Sequence, residues 1–188
     1  RQKSVDLRKI ATTILDRSRK KYDLHKKQLK NTEKREKYKI YGELIHTYGY
    51  GLKANSKTLE AFNYYTNENI SIPLDPQLTP QENALKYFNK YNKLKRTYEA
   101  LTDLIEETHE EIIHLESIST SLDIAVSEDD LTQIKEELIQ YGYMKKRPAG
   151  KKEKIKSKPF HYLSSDGYHM YVGKNNFQNE ELTFKFAI

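Results

Sequence analysis

The chain has 188 residues, 36% of them hydrophobic and 32% charged, with no cysteine and a net charge of +6. An apolar fraction this lean excludes one large globular core, the missing cysteines exclude disulfides and thiolate metal sites, and no apolar run approaches the roughly 20 residues that cross a membrane. The charge falls in blocks that bear on partners: residues 1–40 hold 15 Lys/Arg against 5 Asp/Glu, residues 41–144 hold 8 against 18, residues 145–158 hold 8 against 1, and residues 159–188 hold 2 against 3.

Residue 1 is an arginine inside a helical pattern, so the chain is expected to continue upstream, and a signal peptide is not excluded. Leu7, Ile10 and Ile14 follow a 3,4 spacing that Leu24 continues, although Arg17, Lys21 and Gln28 occupy intervening positions. Residues 1–47 therefore read as one amphipathic helical arm. Tyr48-Gly49-Tyr50-Gly51 ends it, and two short strands follow, Lys57 to Tyr65 and Ile70 to Leu74, around an Asn67-Glu68-Asn69 turn. Residues 48–78 are a small α+β tip module. Its tyrosines, Tyr48, Tyr50, Tyr64 and Tyr65, stand under two readings, a surface that stacks on bases or protein and a miniature core that tolerates water; composition favours the core.

The second arm, residues 79–124, carries the clearest signal. Thr79, Pro80 and Glu82 make a capping box with proline at the first helical position. From there Tyr87, Tyr91, Leu94, Tyr98, Leu101, Ile105, Thr108, Ile112, Leu115, Ser119 and Leu122 repeat every 3.5 residues, the period of a coiled-coil seam. Such a helix, on the order of 60 Å long at 1.5 Å per residue, needs a partner for its one apolar stripe. Charge names the partner. Residues 97–124 contain eight carboxylates and no Lys or Arg, whereas Arg8, Arg17, Arg19 and the lysines around them crowd the first arm. The expected fold is mainly α, a long antiparallel coiled-coil hairpin within one chain; a plain helical bundle and a pairing between two chains are the alternatives.

Ser127 opens a helix over 127–142 that Gly142 stops, and this helix is expected to buttress the base of the arms. Residues 145–158 then read as a flexible cationic linker holding Lys145, Lys146, Arg147, Lys151, Lys152, Lys154, Lys156 and Lys158. Phosphate backbones attract such a segment by counterion release, and the alternative is a merely solvated linker. Residues 159–188 alternate as two strands around Asp166-Gly167, with Gly173 at a second turn and Asn179 placed to cap a following helix. A strand edge near Phe184 to Ile188 would be left unpaired.

Two stretches carry a family resemblance. The run from Pro159 through Asp166-Gly167-Tyr168, Val172-Gly173-Lys174-Asn175-Asn176 and Gln178-Asn179-Glu180 to Thr183 resembles the opening of the NFACT-R domain. The tract from Ile72-Pro73-Leu74-Asp75-Pro76 through Thr79-Pro80 to Lys95 is similar to the NFACT family's junction between middle module and second coiled-coil arm. The resemblance implies that residues 159–188 begin a truncated NFACT-R domain, a short β-hairpin and helix, and that the NFACT-N and helix-hairpin-helix regions and the rest of NFACT-R are not in this sequence. It implies a cytoplasmic ribosome quality-control factor that binds large ribosomal subunits carrying peptidyl-tRNA, at the stalk base and rRNA, and recruits tRNA for C-terminal alanine tailing. Lys174, Asn175 and Gln178 are then candidates to face tRNA, with structural capping as the equal alternative for the two amides. Bacterial members also carry the description fibronectin- or fibrinogen-binding protein, which makes a surface adhesin the competing function.

Catalysis finds no support in the residues. The six histidines are scattered, His109 and His114 sit five apart and so share no helix face, and Gly173-Lys174 lacks the rest of a phosphate loop. No catalytic residue, metal or cofactor is expected, since elongation in this family uses the ribosome's own centre.

Overall fold

Helices dominate because the long segments keep a helical apolar period and contain almost no Gly or Pro. The structure, a computed structural model, describes residues 1–146 and 157–186. Helix α1 spans Gln2–Asn31, a 3₁₀ turn Thr32–Lys34, and α2 Arg35–Tyr48. A second 3₁₀ turn (Gly49–Gly51), strands β1 (Thr58–Asn63) and β2 (Glu68–Pro73), α3 (Pro80–Ile124) and α4 (Glu128–Gln140) follow. Strands β3 (Phe160–Leu163) and β4 (His169–Val172), α5 (Asn176–Glu181) and a π-type turn (Leu182–Phe186) complete the order. The chain divides into two compact units, one of Arg1–Tyr22 with Glu107–Ile188 and the other of Asp23–Glu106.

In the unit Asp23–Glu106, β1 and β2 form an antiparallel hairpin in the register Thr58↔Pro73 to Asn63↔Glu68. Its turn lies at residues 64–67, one step earlier than the sequence suggested: Asn67 takes a positive φ, Asn63 Oδ1 accepts from Tyr65 N, and Glu68 and Asn69 already pair. Strand β1 alternates, placing Leu59 and Ala61 inward. They meet Leu44 and Ile45 of α2, Ile72, Leu74, and Ala84 and Tyr87 of α3 in one core. The capping box at α3 forms as read, with Thr79 N donating to Glu82 Oε2 at 2.8 Å and Glu82 N to Thr79 Oγ1 at 3.2 Å. The expected miniature core of Tyr48, Tyr50, Tyr64 and Tyr65 is absent: these side chains are 41%, 87%, 47% and 58% exposed. The aromatic residues that do close the core are Tyr38, Tyr41 and Tyr87, which sit on helix faces that a packed partner covers.

In the other unit, the ends of α1 and α3 run antiparallel, as the pairs Arg8–Asp123, Ser18–Glu111 and Tyr22–His109 show by their opposite order. The seam of α3 is as the period predicted, with Thr108, Leu115 and Leu122 buried and Ile112 and Ser119 half-buried. The seam of α1 is not. Leu7, Ala11, Leu15 and Ser18 are buried, and Tyr22 is half-buried. Arg17 and Lys21 are exposed; in the unit Asp23–Glu106 His25 and Leu29 are half-buried and Thr32 is buried, while Leu24 and Gln28 are exposed. Small and hydroxylic residues let the helices approach closely, and Ser18 donates to Glu111 Oε1 at 3.1 Å, so the stripe is slipped by one from the purely apolar pattern.

Helix α4 packs Ile134 and Leu138 against Leu7, Ala11, Ile118 and Leu122. A capping box of Ser127 and Asp130 starts it. Its end is a Schellman motif: Gly142 has φ +79°, and Tyr143 N and Gly142 N donate to Leu138 O at 2.8 Å and Ile139 O at 3.1 Å.

Candidate nucleic-acid interface

The segment after residue 156 docks on α4 through a row of polar groups. Asp130, 1% exposed, holds its Oδ2 on Val126 N (2.8 Å) and Ser127 N (3.1 Å) and turns Oδ1 toward Ser157 Oγ and Lys174 Nζ, the latter at 3.5 Å. Burial alone would raise this carboxyl's pKa. The hydrogen bonds from Ser157, Val126 and Ser127 and the Lys174 charge outweigh it and hold the group below its ordinary value. One turn on, Gln133 Oε1 accepts from Asn175 Nδ2 at 2.7 Å and from Gln178 Nε2 at 2.8 Å. A further turn on, fully buried Glu137 offers Oε1 to Asn176 Nδ2 at 2.5 Å and lies 2.9 Å from His114 Nε2. Residues 130, 133 and 137 share one face of α4, so a single helix stripe presents three acceptors in a row.

This junction takes in most of the candidate residues that lie downstream of residue 156. Lys174 is 12% exposed at its side chain, paired with Asp130 and laid 4.7 Å over the Phe160 ring. Asn175 and Gln178, 2% and 1% exposed, are joined to each other, since Gln178 N donates to Asn175 Oδ1 at 3.0 Å, and Gln178 Oε1 accepts from Lys174 N at 3.0 Å. All three thus serve the dock rather than an open face. The helix cap expected at Asn179 is at Asn175; Asn179 lies inside α5. Gly173 is required by close approach rather than by a turn, because a Cβ there would stand 2.1 Å from Asn179 Oδ1. Gly167, with φ +84°, is the turn glycine beside Asp166, and Gly167 N donates to Ser164 O at 3.0 Å.

Lys145, Lys146 and Lys158 are exposed; Arg147, Lys151, Lys152, Lys154 and Lys156 fall outside the described residues. Strands β3 and β4 pair as expected, Phe160↔Val172 to Leu163↔His169, and display Tyr162, Leu163, Met170, Tyr171 and Val172, each about half exposed or more. His161 Nε2 lies 2.8 Å from His169 Nδ1 on the same hairpin. The anticipated strand edge near Phe184 to Ile188 is instead helical through Phe186, and residues 187 and 188 fall outside the described residues. Among the described residues no cluster of His, Cys, Asp and Glu has the make-up of a metal site, and no helix is long and apolar enough to cross a membrane.

Sequence reasoning missed Gln133, Glu137, Ser157 and His114. The only signal was the i, i+3, i+7 spacing of Asp130, Gln133 and Glu137, which reads as an ordinary solvated helix face until a polar partner is known.

The family model described as NFACT N-terminal and middle domains matches residues 1–157. A protein of Streptococcus suis (strain 05ZYH33) named Rqc2 homolog RqcH is 43% identical over 187 residues, covering 99% of this chain and 34% of that protein. A protein of Bacillus subtilis (strain 168) with the same name is 36% identical over 194 residues, covering 100% of this chain and 34% of its own length. A solved structure, of the C-terminal part of the fibronectin/fibrinogen-binding protein from Streptococcus suis, superimposes with a TM-score of 0.66 at 35% identity, covering 98% of this chain and 61% of that one. The chain spans about a third of the length of the curated relatives it matches.

Proposed function

The chain belongs to the NFACT family of ribosome quality-control proteins, and from that premise we propose that it is the ribosome-contacting part of a factor that binds large subunits obstructed by peptidyl-tRNA. On this reading α1, α2 and α3 act as a coiled-coil arm, residues 159–186 begin an NFACT-R domain, and the whole factor recruits tRNA for C-terminal alanine tailing in the cytoplasm. The protein supplies binding and placement, and the bond-forming chemistry stays with the ribosome. The observation that carries the proposal is identity of 36–43% over essentially the whole chain with proteins named Rqc2 homolog RqcH. The junction on α4 supports it in one respect: a dock of buried polar contacts holds the start of a following domain in a fixed place relative to its own unit.

Sedimentation of the full-length protein through a gradient with purified large subunits tests the reading. Co-migration with subunits bearing peptidyl-tRNA, and weaker co-migration with empty ones, is the expected result; absence from both would refute it. The name of the solved relative from Streptococcus suis supplies a second reading, binding to fibronectin. The same preparation applied to immobilised fibronectin separates the two, because saturable binding there without subunit binding would favour the adhesin.

A further inference from the structure

The unit Arg1–Tyr22 with Glu107–Ile188 carries an open groove of about 560 Å³, lined by residues of α3, the end of α4, α5 and the π-type turn. Three large apolar side chains stand exposed around it: Ile113 at 53%, Tyr141 at 56% and Phe184 at 76%. They come from three separate places in the chain, so no single amphipathic stripe accounts for them. An apolar patch of this kind, rimmed by charge, marks a surface that a partner covers. The charge at this rim has one sign. Glu110 of α3 and Glu180 of α5 line the groove, and both are exposed. Among the described residues neither has a Lys or Arg in ion-pair range, whereas neighbouring carboxylates are already engaged, Glu116 with Arg19 at 3.1 Å and Glu181 with Lys185 at 3.3 Å. No Lys or Arg lines the groove, and His114, which does, is held 2.9 Å from Glu137 Oε1 with its ring centre 4.1 Å from that of Tyr141.

Charge and ring chemistry together select the occupant. Two carboxylates without counter-ions repel a phosphate backbone, so nucleic acid is the wrong ligand for this face. Aromatic rings beside carboxylates are the surroundings a guanidinium takes. Its plane stacks on a ring, its N–H fork meets carboxylate oxygens, and its aliphatic stem lies along apolar side chains. A Lys ammonium supplies the charge without the planar stack or the fork, and is hydrated more strongly in the free state. Arg is also the cation enriched at protein interfaces, where it pairs with aromatic residues such as Tyr and Phe.

We propose that this groove docks an arginine side chain from an extended basic segment of a partner protein. Glu110 and Glu180 receive the guanidinium, and Ile113, Tyr141 and Phe184 cover its stem and plane. The inference goes beyond the ribosomal reading and does not rest on it: a full-length protein that fails to sediment with large subunits leaves the groove and its chemistry in place.

The test uses the full-length protein, so that the groove is probed with the rest of the chain in place. The probes are short fluorescein-labelled peptides in which Gly alternates with Arg, with Lys or with uncharged citrulline, followed by anisotropy at about 0.15 M salt, where long-range attraction is screened. Spermidine serves as a free polyamine competitor. Three variants are compared with wild type: Glu110→Gln with Glu180→Gln, Phe184→Ala, and, as a control that removes the same charge elsewhere on α3, Glu99→Gln with Asp103→Asn. All five positions are exposed, so melting curves are expected to match wild type. The Arg peptide should bind more tightly than the Lys peptide, and the citrulline peptide should not bind. Its affinity should fall about tenfold in the Glu110/Glu180 variant and about two- to fivefold in Phe184→Ala, against less than about twofold in the control. A wild type that does not bind the Arg peptide overturns the proposal, as does equal weakening in the groove and control variants. Equal affinity for the Arg and Lys peptides, or an unchanged affinity in Phe184→Ala, overturns the guanidinium assignment. Displacement by spermidine at the concentration at which unlabelled Arg peptide displaces overturns the protein segment as the occupant.

Discussion

Replacing Asp130 by Asn probes the dock on α4 most directly. All four partners of this carboxylate are donors: Val126 N and Ser127 N on one oxygen, Ser157 Oγ and Lys174 Nζ on the other. An amide offers one acceptor oxygen, so two donors must face an NH2 group, and Lys174, 12% exposed, loses its counter-ion. Leaving one charge of a buried pair unpartnered costs about 3–5 kcal/mol, and the hydrogen bonds to a charged acceptor account for about 1.5–3 kcal/mol each within that loss. The expected destabilisation of this unit is therefore about 3–5 kcal/mol, seen in denaturant melts and, locally, as faster hydrogen exchange at the amides of Lys174 and Gln178. Adding Lys174→Met, whose stem still covers Phe160, should recover about 2 kcal/mol, because removing both charges costs less than stranding one. The pH dependence has a fixed sign. A carboxyl depressed in the folded state stabilises fully above the ordinary Asp value of about 3.9, and that contribution is lost as pH falls through the lower folded value. The Asn variant should lack this acid limb. A single-variant cost below about 1 kcal/mol, with no recovery in the double variant, would refute the account of the junction.

Three further outcomes follow from the packing. Gly42→Ala would place a Cβ 2.8–2.9 Å from three ring atoms of Phe88, so overpacking of about 1–3 kcal/mol should exceed the roughly 1 kcal/mol gained in helix propensity, and Phe88→Leu in the same chain should restore stability in urea melts. Ile118→Ala, at a side chain with no exposure in the core beneath α4, should cost about 2–5 kcal/mol by thermal or chemical denaturation. The Tyr65 hydroxyl donates to Glu43 Oε2 at 2.9 Å, and this hydrogen bond, with one to Tyr64, raises its pKa to about 12; Glu43→Gln should bring the NMR-followed titration down toward about 10.

What the sequence made legible was whatever depends on period and local chemistry. The buried α3 positions Thr108, Leu115 and Leu122, the boxes at Thr79–Glu82 and Ser127–Asp130, and the Gly142 stop all rest on local period or on residues within a few positions of one another. The α1 stripe was misread because Ala11, Ser18 and Thr32 are buried for their small size, which an apolar pattern does not register. Asn175 was passed over as the α5 cap in favour of Asn179 because both are asparagines ahead of apolar residues, and only the approach of Gly173 to Asn179 decides between them. The closeness of residues 33–39 to residues 86–96 was invisible for a different reason. Averaged over residues 41–144 the charge is acidic, and the cations of residues 86–96 emerge only once the fold sets them beside the basic end of the first arm. Burial of Lys174, Asn175 and Gln178 likewise required knowing that α4 supplies acceptors, a tertiary fact with no local trace.

The short 3₁₀ turn at Thr32–Lys34 has a consequence for winding phase. Three residues at 3.0 per turn advance about 360°, whereas three at 3.6 per turn advance about 300°, so the screw gains about 60° at this point. That extra rotation changes which flank of the chain points inward, from the narrow stripe through His25 and Leu29 to the broader one of Tyr38, Tyr41, Leu44 and Ile45 that closes over the hairpin. Thr32 Oγ1 caps the join by donating to Leu29 O at 2.6 Å, and Arg35 donates to Thr32 O at 3.1 Å, so the step is built with its carbonyls satisfied. Removing a single residue there would turn α2 by about 100° and aim charged groups at Leu59 and Ile72.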